Sequence, residues 1–418
     1  MKATPLLLAC TLAACATPPA PTDAEVLALH RRVLTLDTHK DIDPKLAPAS
    51  LPADPATAAE FRRRFDPSLR GAQQVDFPKM REGGYDAAFF IVYTDQRRLD
   101  AGGYARALAE ANQKFDAIHR MVQKHGDEIG LALSPDDVER LHGAGKLVAC
   151  IGIENGYPMG LDPANIAAFH ARGARYMSLA HNGHNQLGDS HTPAAPQHGG
   201  LSELGRRAIA EMNRLGIMVD VSHASRDTML QAVAASTAPV IASHSGARAV
   251  NDHSRNLDDD QLRAIAERGG VVQCVALAEF VKSDAERSRA LAAWRDQCGI
   301  GPQHQDTELD EAESDRRYQR FRDGLLALDQ RFPRASVRDF VDHIDHVVRV
   351  AGIDHVCIGS DFDGGGGIDG WNDASTTANV TRELVRRGYD EAQIRQIWGG
   401  NLLRVWRQVE AVAARGGR

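Results

Sequence analysis

Short apolar runs rich in β-branched residues alternate along this chain with longer segments whose apolar residues recur every three or four positions. Eight of the short runs have the length and composition of buried strands: residues 33–41, 87–94, 147–153, 175–180, 217–221, 239–244, 270–277 and 356–360. The segments between them carry helix signals. Ser134-Pro135-Asp136-Asp137, for example, combines a cap residue, a proline at the first helical position and acids in the first turn. Strands that alternate with helices predict a parallel sheet, and eight of them predict an α/β fold of the TIM-like (β/α)8 barrel type.

An open, doubly wound sheet is the competing architecture. It is disfavoured because no Gly-x-Gly-x-x-Gly follows the first strand, and the glycine run at 364–367 lacks the Lys-Ser/Thr of a phosphate-binding loop. Residues 281–334 are charged and helical in tendency, which predicts a helical insertion between strands 7 and 8. Residues 46–70 are rich in Pro, Ala and Arg without a clean period, which predicts an irregular excursion over the surface.

Side chains that can bind metal ions stand at or just past the ends of these strands. They are His39, Asp41, Glu154, His181, His223, His244 and Asp361. In a closed barrel the C-terminal strand ends meet at one face, where active sites lie. Each residue taken singly is more typical of an ordinary polar strand exit, but seven on one rim predict a metal centre.

The residue types narrow the choice of metal. His39 and Asp41 are two positions apart, so on an extended strand both side chains face the same cation. Imidazole and carboxylate ligands suit zinc and related divalent ions. The set is too large for one tetrahedral ion and fits two ions about 3.5–4 Å apart that share a carboxylate.

Composition and charge exclude several classes of protein. The chain has 418 residues, 43% hydrophobic and 25% charged, with a net charge of −7. These values are typical of a globular protein with a large core, and the mixed charge gives no footprint for nucleic acid. None of the six cysteines forms a Cys-x-x-Cys pair, so no thiolate metal site is expected. Cys150, Cys274 and Cys357 sit in apolar runs typical of buried thiols, and a disulfide between Cys274 and Cys298 is left open.

The N-terminus has the features of an export signal. Met1-Lys2 precedes a short apolar segment that ends in Leu12-Ala13-Ala14-Cys15, which resembles a bacterial lipoprotein signal. Residues 1–14 would be removed, Cys15 would be lipidated, and residues 15–24 would form a proline-containing tether to a folded domain at 25–418. A plain secretory signal is the alternative. The expected location is the bacterial cell envelope, with a lipid anchor as the only membrane contact and the domain facing the periplasm or the cell exterior.

Six short motifs resemble the renal (membrane) dipeptidase family of the metal-dependent amidohydrolase superfamily, in the same order and spacing. They are Asp37-Thr38-His39-Lys40-Asp41, Phe77-Pro78-Lys79-Met80-Arg81-Glu82-Gly83-Gly84, Gly152-Ile153-Glu154-Asn155-Gly156, Val221-Ser222-His223-Ala224-Ser225, Ser243-His244-Ser245 and Gly359-Ser360-Asp361-Phe362-Asp363-Gly364. The resemblance extends from about residue 34 to the C-terminal helices. It implies that residues 25–418 form a metal-dependent hydrolase that cleaves dipeptides with a free C-terminal carboxylate.

The resemblance also implies roles for individual residues. Two zinc ions per subunit would be bound, one by His39 and Asp41 and the other by His223 and His244, with Glu154 bridging them. Asp361 matches the family's acid/base carboxylate, which takes a proton from the attacking water and passes it to the leaving amine. His181 matches the residue that contacts the scissile carbonyl and the developing oxyanion. Arg255, in His253-Ser254-Arg255-Asn256, matches the arginine that receives the substrate carboxylate.

Two departures from the family pattern leave substrate preference open. Residues 364–372 replace the family's usual proline-containing link, and the 281–334 insertion is long and charged. Both are expected to border the pocket. A two-metal amidohydrolase acting on N-acyl amino acids, lactones or phosphoesters therefore remains an alternative, as does a lipoprotein that only binds zinc or peptides. A homodimer is also left open.

Overall fold

The computed structural model describes residues 21–300 and 311–416. Within these residues the strands are β1 (Leu36–Asp41), β2 (Ala87–Tyr93), β3 (Ile129–Leu131), β4 (Leu147–Glu154), β5 (Ala174–Ser178), β6 (Met218–Asp220), β7 (Ile241–Ser245), β8 (Val271–Val275) and β9 (Val356–Gly359). Eight of them form one parallel sheet in the order β1-β2-β4-β5-β6-β7-β8-β9, and the short β3 pairs only with β4.

The sheet curls until its two ends meet. The Asp41 N–H donates to the Phe362 carbonyl over 2.8 Å, and the Asp361 N–H donates to the His39 carbonyl over 3.0 Å. These bonds join β1 to the chain that follows β9. The predicted eight-stranded, TIM-like barrel is confirmed as a nearly closed barrel of parallel strands with helices between them.

Helices cover the outside of the barrel. They are α1 (Asp23–His30), α2 (Pro55–Phe65), α3 (Phe77–Gly83), α4 (Ala101–Lys124), α5 (Pro135–Gly143), α6 (Asn165–Ala171), α7 (Glu203–Leu215), α8 (Arg226–Ala235), α9 (Asp259–Glu267), α10 (Ala278–Val281), α11 (Ala285–Gln297), α12 (Glu311–Arg331), α13 (Val337–Ala351), α14 (Ala378–Arg386), α15 (Glu391–Arg395) and α16 (Asn401–Gly416). The predicted start of α5 is confirmed, since the Ser134 hydroxyl accepts the Asp137 N–H over 3.2 Å. No helix among the described residues is long and apolar enough to cross a membrane.

Successive side chains along each barrel strand point in turn into one of two apolar clusters. In β4 every residue is buried, with Val148 and Cys150 in one cluster and Ala149 and Ile151 in the other. The cluster that contains Val148 and Cys150 also includes Trp406 of α16, and the cluster that contains Ala149 and Ile151 includes the inner faces of the surrounding helices. A strand buried on both faces is apolar along most of its length, which explains the long apolar runs in the sequence, and in β4 only the last residue, Glu154, is charged.

The insertion lies where it was predicted, between the seventh and eighth barrel strands. It contains α10, α11 and α12, and Arg287 of α11 pairs with Asp329 of α12 over 2.7 Å. The expectation of an irregular excursion at 46–70 was incomplete, because α2 forms within it, and β3 was not predicted. Both are short elements with weak apolar periodicity.

The cysteines do not form the disulfide that the sequence left open. Cys150, Cys274, Cys298 and Cys357 are all buried free thiols. Cys274 belongs to β8 and packs in the apolar cluster between the strands and the helices. Cys298 lies just past α11 in the insertion and is only 4% exposed. Cys10, Cys15 and the proposed signal lie outside the described residues.

Candidate metal centre

The barrel brings all seven predicted side chains to the same mouth. His39 and Asp41 lie at the end of β1, Glu154 ends β4 and His244 lies within β7. The other three, His181, His223 and Asp361, lie in the loops just past β5, β6 and β9. The backbones of His223 and Asp361 have φ angles of 65° and 61°, a left-handed conformation that is uncommon outside glycine and is often found at functional sites.

Glu154 is the centre of this arrangement. Its Oε1 lies 3.0 Å from His223 Nε2, 3.3 Å from His244 Nε2 and 3.9 Å from His181 Nε2. Its Oε2 lies 3.5 Å from His39 Nε2. The two oxygens of one buried carboxylate therefore face two different groups of histidines.

Two further carboxylates, those of Asp41 and Asp361, flank His39. The His39 Nε2 atom lies 3.6 Å from Asp41 Oδ2 and 3.9 Å from Asp361 Oδ1. Among the described residues, three groups of side chains each bring three ligand atoms within 4.8 Å of one another: His39, Asp41 and Glu154; His39, His244 and Asp361; and Glu154, His181 and His223. All three groups have a spacing at which side chains can share a metal ion.

Hydrogen bonds outside the centre fix the protonation of two of the imidazoles. The Tyr176 hydroxyl donates to the Thr38 carbonyl over 2.9 Å, so at 3.0 Å it accepts from His39 Nδ1–H. His223 Nδ1–H donates to the Asn182 Oδ1 over 3.0 Å. An imidazole protonated at Nδ1 presents an Nε2 lone pair, so both rings offer a metal ligand to the centre.

His244 is fixed in the same way. The Ser243 hydroxyl donates to the Asp220 carboxylate over 2.6 Å and therefore accepts from His244 Nδ1–H over 2.9 Å. The Nε2 atoms of His244 and His223 lie 2.9 Å apart, each with a lone pair directed at the other. Two acceptors at this distance repel each other unless a positive charge lies between them.

The residues fit a divalent metal. Within the described residues, His39 Nε2 is buried without a hydrogen-bond partner. Three imidazole Nε2 atoms and several carboxylate oxygens converge, and nitrogen and oxygen donors in this combination suit zinc and related ions. Without compensation, so many buried lone pairs and charges would be costly.

Charges within the centre depend strongly on one another. Burial disfavours the charged form of Glu154, but the surrounding histidines, His39 first, hold the pKa of its carboxyl well below the ordinary value. Burial also disfavours protonated His39, but Glu154 and Asp41 raise the pKa of its imidazole well above the ordinary value. Burial lowers the pKa of His223 and His244. Glu154 is therefore an anion, and the rings of His223 and His244 are neutral. His39 binds a second proton, on Nε2, whose place a metal ion would take.

Asp361 and His181 have altered proton affinities. Burial, and then the Asp41 and Glu154 carboxylates, raise the pKa of Asp361 to about 8. Burial lowers the pKa of His181, whose ring also contacts the Tyr93 ring at a centroid distance of 4.7 Å. At neutral pH His181 is thus a neutral imidazole that keeps one N–H to donate.

Arg255 supplies a buried cation beside the centre. Its side chain is 2% exposed, and its Nη1 donates to the Ser245 hydroxyl over 2.8 Å. Among the described residues its Nε and Nη2 atoms have no hydrogen-bond partner, and its guanidinium lies 5.8 Å from the centroid of the Phe280 ring. Burial lowers the pKa of Arg255 to about 10. It remains charged at pH 7 and can receive an anion.

The loop after β5 contains three further histidines, of which His191 borders the centre, with its ring centroid 5.8 Å from that of His223. His184 Nε2 lies 2.8 Å from the Ala195 carbonyl, and His198 Nε2 lies 2.8 Å from the Asn185 carbonyl. His191 Nδ1 lies 3.0 Å from the Ser254 hydroxyl. His184 and His198 thus support the loop, and within the described residues none of the three belongs to a group of potential metal ligands.

Sequence reasoning missed the residues that orient the ligands. Tyr176, Asn182, Ser243 and Asp220 hold the three imidazoles, and Tyr93 packs against His181. One signal was available for Asp220, which is an acidic residue at the end of an apolar strand, three positions before His223. Ser243 was part of the Ser243-His244-Ser245 motif, although not as a partner of His244, and Tyr176, Asn182 and Tyr93 had no such signal in the sequence.

Comparisons with known proteins agree with this geometry. A family model described as membrane dipeptidase (peptidase family M19) matches residues 23–417. The dipeptidase aclJ of Aspergillus oryzae is 33% identical over 345 residues, which are 81% of this chain and 71% of that protein. The dipeptidase tcpJ of Claviceps purpurea is 31% identical over 356 residues, which are 84% of this chain and 73% of that protein.

Solved structures share the fold. The probable dipeptidase PvdM from Pseudomonas aeruginosa is 30% identical with a TM-score of 0.79, covering 93% of this chain and 98% of that one. A metallopeptidase from Rhodobacter sphaeroides, liganded with a phosphinate mimic of L-Ala-D-Ala, is 23% identical with a TM-score of 0.68, covering 90% of this chain and 99% of that one. The chain therefore belongs to the membrane dipeptidase family, peptidase family M19, and is a hydrolase that acts on dipeptides.

Proposed function

We propose that this protein is a binuclear zinc dipeptidase that hydrolyses the peptide bond of dipeptides with a free C-terminal carboxylate. The observation that carries the proposal is the position of Glu154, whose two oxygens face His39 on one side and His223 with His244 on the other. A carboxylate placed in this way can bridge two ions.

In this proposal His39 and Asp41 hold one zinc ion, His223 and His244 hold the other, and Glu154 contributes to both. Two such cations, when bound, polarise a carbonyl group and lower the pKa of a shared water towards neutrality. The Nδ1 hydrogen bonds of the three histidines support this assignment because they keep the Nε2 lone pairs directed inwards.

Asp361 moves the proton. An amine is a poor leaving group unless it is protonated, so the reaction needs a group that accepts a proton from the attacking water and delivers it to the amine nitrogen. Asp361 is buried, and its Oδ1 lies 3.9 Å from His39 Nε2, so its carboxylate stands beside the proposed ions, where it can take that proton and pass it on. The neutral His181 donates its N–H to the carbonyl oxygen as negative charge develops there.

Arg255 can position the scissile bond relative to the C-terminus of the substrate. A guanidinium with free Nε and Nη2 donors can bind a carboxylate through two parallel hydrogen bonds. In a dipeptide the C-terminal carboxylate lies one residue beyond the scissile bond, so a carboxylate held by Arg255 would place that bond at the proposed ions. Together with the dipeptidase family, this makes a free dipeptide the proposed substrate, with no role for nucleic acid.

The experiment combines metal analysis with a substrate panel. The purified protein is stripped with a chelator, reloaded with zinc and measured for zinc per chain by mass spectrometry. It is then offered L,L and L,D dipeptides, including L-Ala-D-Ala, together with N-acyl amino acids, lactones and phosphoesters. Two zinc ions per chain and hydrolysis of dipeptides are expected.

Each other outcome overturns a defined part of the proposal. Activity confined to N-acyl amino acids or esters would favour the related amidohydrolase. Zinc uptake without hydrolysis of any dipeptide would favour a binding protein. Full activity with one zinc ion per chain would contradict the proposed second zinc site.

We also propose that the chain is a lipoprotein of the bacterial cell envelope. Support comes from the short apolar segment and the Leu12-Ala13-Ala14-Cys15 string, with residues 15–24 as the tether of the domain at 25–418. In a bacterial host the wild-type chain should fractionate with membranes and incorporate a palmitate analogue. Cys15→Ala should release it to the soluble fraction, and unchanged membrane association would contradict the proposal. A homodimer stays a prediction.

A further inference from the structure

Two buried aspartates link neighbouring strands beneath the metal centre. Asp37 is 1% exposed, and its Oδ1 accepts the N–H groups of His39 and Ser360 over 3.0 and 2.8 Å. Its Oδ2 accepts the Tyr85 hydroxyl over 2.8 Å. Asp37 thereby ties β1 to the end of β9.

Asp220 makes the same pattern of bonds between β6 and β7. It is 0% exposed, and its Oδ1 accepts the N–H groups of Ser222 and Ser243 over 3.0 and 2.8 Å. Its Oδ2 accepts the Ser243 hydroxyl over 2.6 Å. The two aspartates thus match in burial and in their three hydrogen-bond donors.

Asp37 and Asp220 differ in the further partners of the hydroxyl group that donates to each of them. The Ser243 oxygen also accepts His244 Nδ1–H over 2.9 Å, so a continuous chain of hydrogen bonds connects Asp220 with a proposed metal ligand. The Tyr85 hydroxyl makes no hydrogen bond to an imidazole among the described residues. Of the three imidazoles, only His244 is linked to a carboxylate in this way, because His39 relies on a phenol and His223 on an amide.

We propose that Asp220 is a positioning residue that sets the metal affinity of the His223–His244 site through Ser243. The inference rests on the proposed two-ion centre. A hydroxyl whose proton is directed at a carboxylate becomes a stronger acceptor, because hydrogen bonds in a chain polarise one another. It therefore holds the His244 ring in one tautomer and one orientation, and increases the basicity of Nε2.

A purely structural role is the competing explanation. If Asp220 only ties β6 to β7, its replacement would lower the stability of the fold and weaken the binding of both ions to a similar extent. Loss of its negative charge would also weaken the binding of both cations by electrostatics alone. Asp37→Asn serves as the matched control because it removes an equally buried charge and an equivalent tie between strands. Ser243→Ala keeps the Asp220 charge and both backbone N–H bonds to its Oδ1, and removes only the hydroxyl that joins Asp220 to His244.

The test measures zinc affinity without reference to activity. The full-length wild-type protein and each variant are stripped of metal and titrated with zinc in competition with a chromophoric chelator, which gives two dissociation constants. His223→Ala identifies the constant that belongs to its site. We expect Asp220→Asn and Ser243→Ala to raise that constant about 10- to 100-fold and to leave the other within about threefold. Ser243→Thr, which keeps the hydroxyl, should restore it.

The outcomes separate the two proposals. Wild-type protein that takes up fewer than two ions overturns the proposed function. If the wild type binds two ions and both zinc dissociation constants are unchanged in Ser243→Ala, only the role of Asp220 is overturned. The role of Asp220 is also overturned if Asp37→Asn raises the zinc dissociation constant of the His223–His244 site as much as Asp220→Asn does. Circular dichroism and thermal unfolding of the stripped variants verify folding, and Ser243→Ala alone decides the matter if Asp220→Asn does not fold.

Discussion

Replacement of Arg255 by alanine tests how this centre recognises its substrate. The guanidinium is buried, keeps one hydrogen bond to Ser245 and has two unpartnered donor atoms beside the proposed metal ligands. It belongs to none of the groups of potential metal ligands found among the described residues. The substitution should therefore remove carboxylate binding while leaving the ions in place.

The magnitude follows from the two free donors. A hydrogen bond to a charged group contributes about 1.5–3 kcal/mol, so a bidentate contact contributes about 3–6 kcal/mol. Water admitted by the smaller side chain solvates the carboxylate in part, which favours the lower limit. At about 1.4 kcal/mol per factor of ten, a loss of about 3 kcal/mol lowers kcat/KM roughly 100-fold.

The assay compares a dipeptide with its C-terminal amide. Arg255→Ala should raise KM for the dipeptide sharply and lower kcat/KM for the amide by less than about threefold, because the amide lacks the recognised charge. Arg255→Lys should fall between alanine and wild type, since an ammonium is a point charge without the planar fork. Arg248→Ala is the control. Arg248 lies on the same loop but contacts the His253 carbonyl and Asp252, at 3.3 and 3.8 Å.

The reasoning would be refuted by an equal loss on the dipeptide and the amide. It would also be refuted by a fall in zinc content, which would mean that Arg255 supports the loop rather than the substrate.

Three further substitutions test the centre and its support. Asp361→Asn should keep two zinc ions and lower kcat by about 10²–10⁴, measured by mass spectrometry and steady-state kinetics, because an amide cannot carry the proton. Lys40→Met breaks a buried ion pair with Asp363 at 3.1 Å and leaves that carboxylate, 17% exposed, without its cation. It should lower the free energy of unfolding in urea by about 3 kcal/mol. Gly364→Ala would place a Cβ 2.2 Å from Asp41 Oδ2 and 2.5 Å from Asp361 Oδ1. It should lower both zinc content and kcat/KM, the latter by about 10²-fold.

Each of these substitutions has its own control. Full activity in metal-loaded Asp361→Asn would exclude a proton relay through this residue. Adding Asp363→Asn to Lys40→Met should restore part of the lost stability, and a double variant as unstable as the sum of the single ones would exclude the ion pair. Gly143→Ala, whose added Cβ meets no atom within 4 Å, should leave zinc content and activity unchanged.

The predicted ligand set came from local rules. His39 and Asp41 were grouped because side chains alternate along a strand, and both lie on the inward face of β1. Glu154, His223 and His244 were grouped because parallel strands in a barrel present their C-terminal ends to one mouth. These rules depend only on the period of the apolar pattern and the order of the elements. They were less informative for α2 and the three-residue β3, whose periodic signals are weak.

The supporting residues lay beyond such rules. Tyr176 reaches His39 across 137 positions, and Asn182 reaches His223 across 41. Neither residue type marks a metal centre in a sequence. The free thiol of Cys298 likewise depends on where the insertion packs, which its polar surroundings in the chain did not indicate.

By itself the sequence determined the barrel, its insertion, the family and the seven side chains at the mouth, because periodicity, element order and short motifs are properties of the chain alone. Only the tertiary structure decided which oxygen of Glu154 faces which histidine, which nitrogen of each imidazole is protonated, and that Asp220 reaches His244 through Ser243. These are contacts between strands that become neighbours only when the barrel closes, and a hydrogen bond over a few ångströms depends on that closure rather than on spacing along the chain.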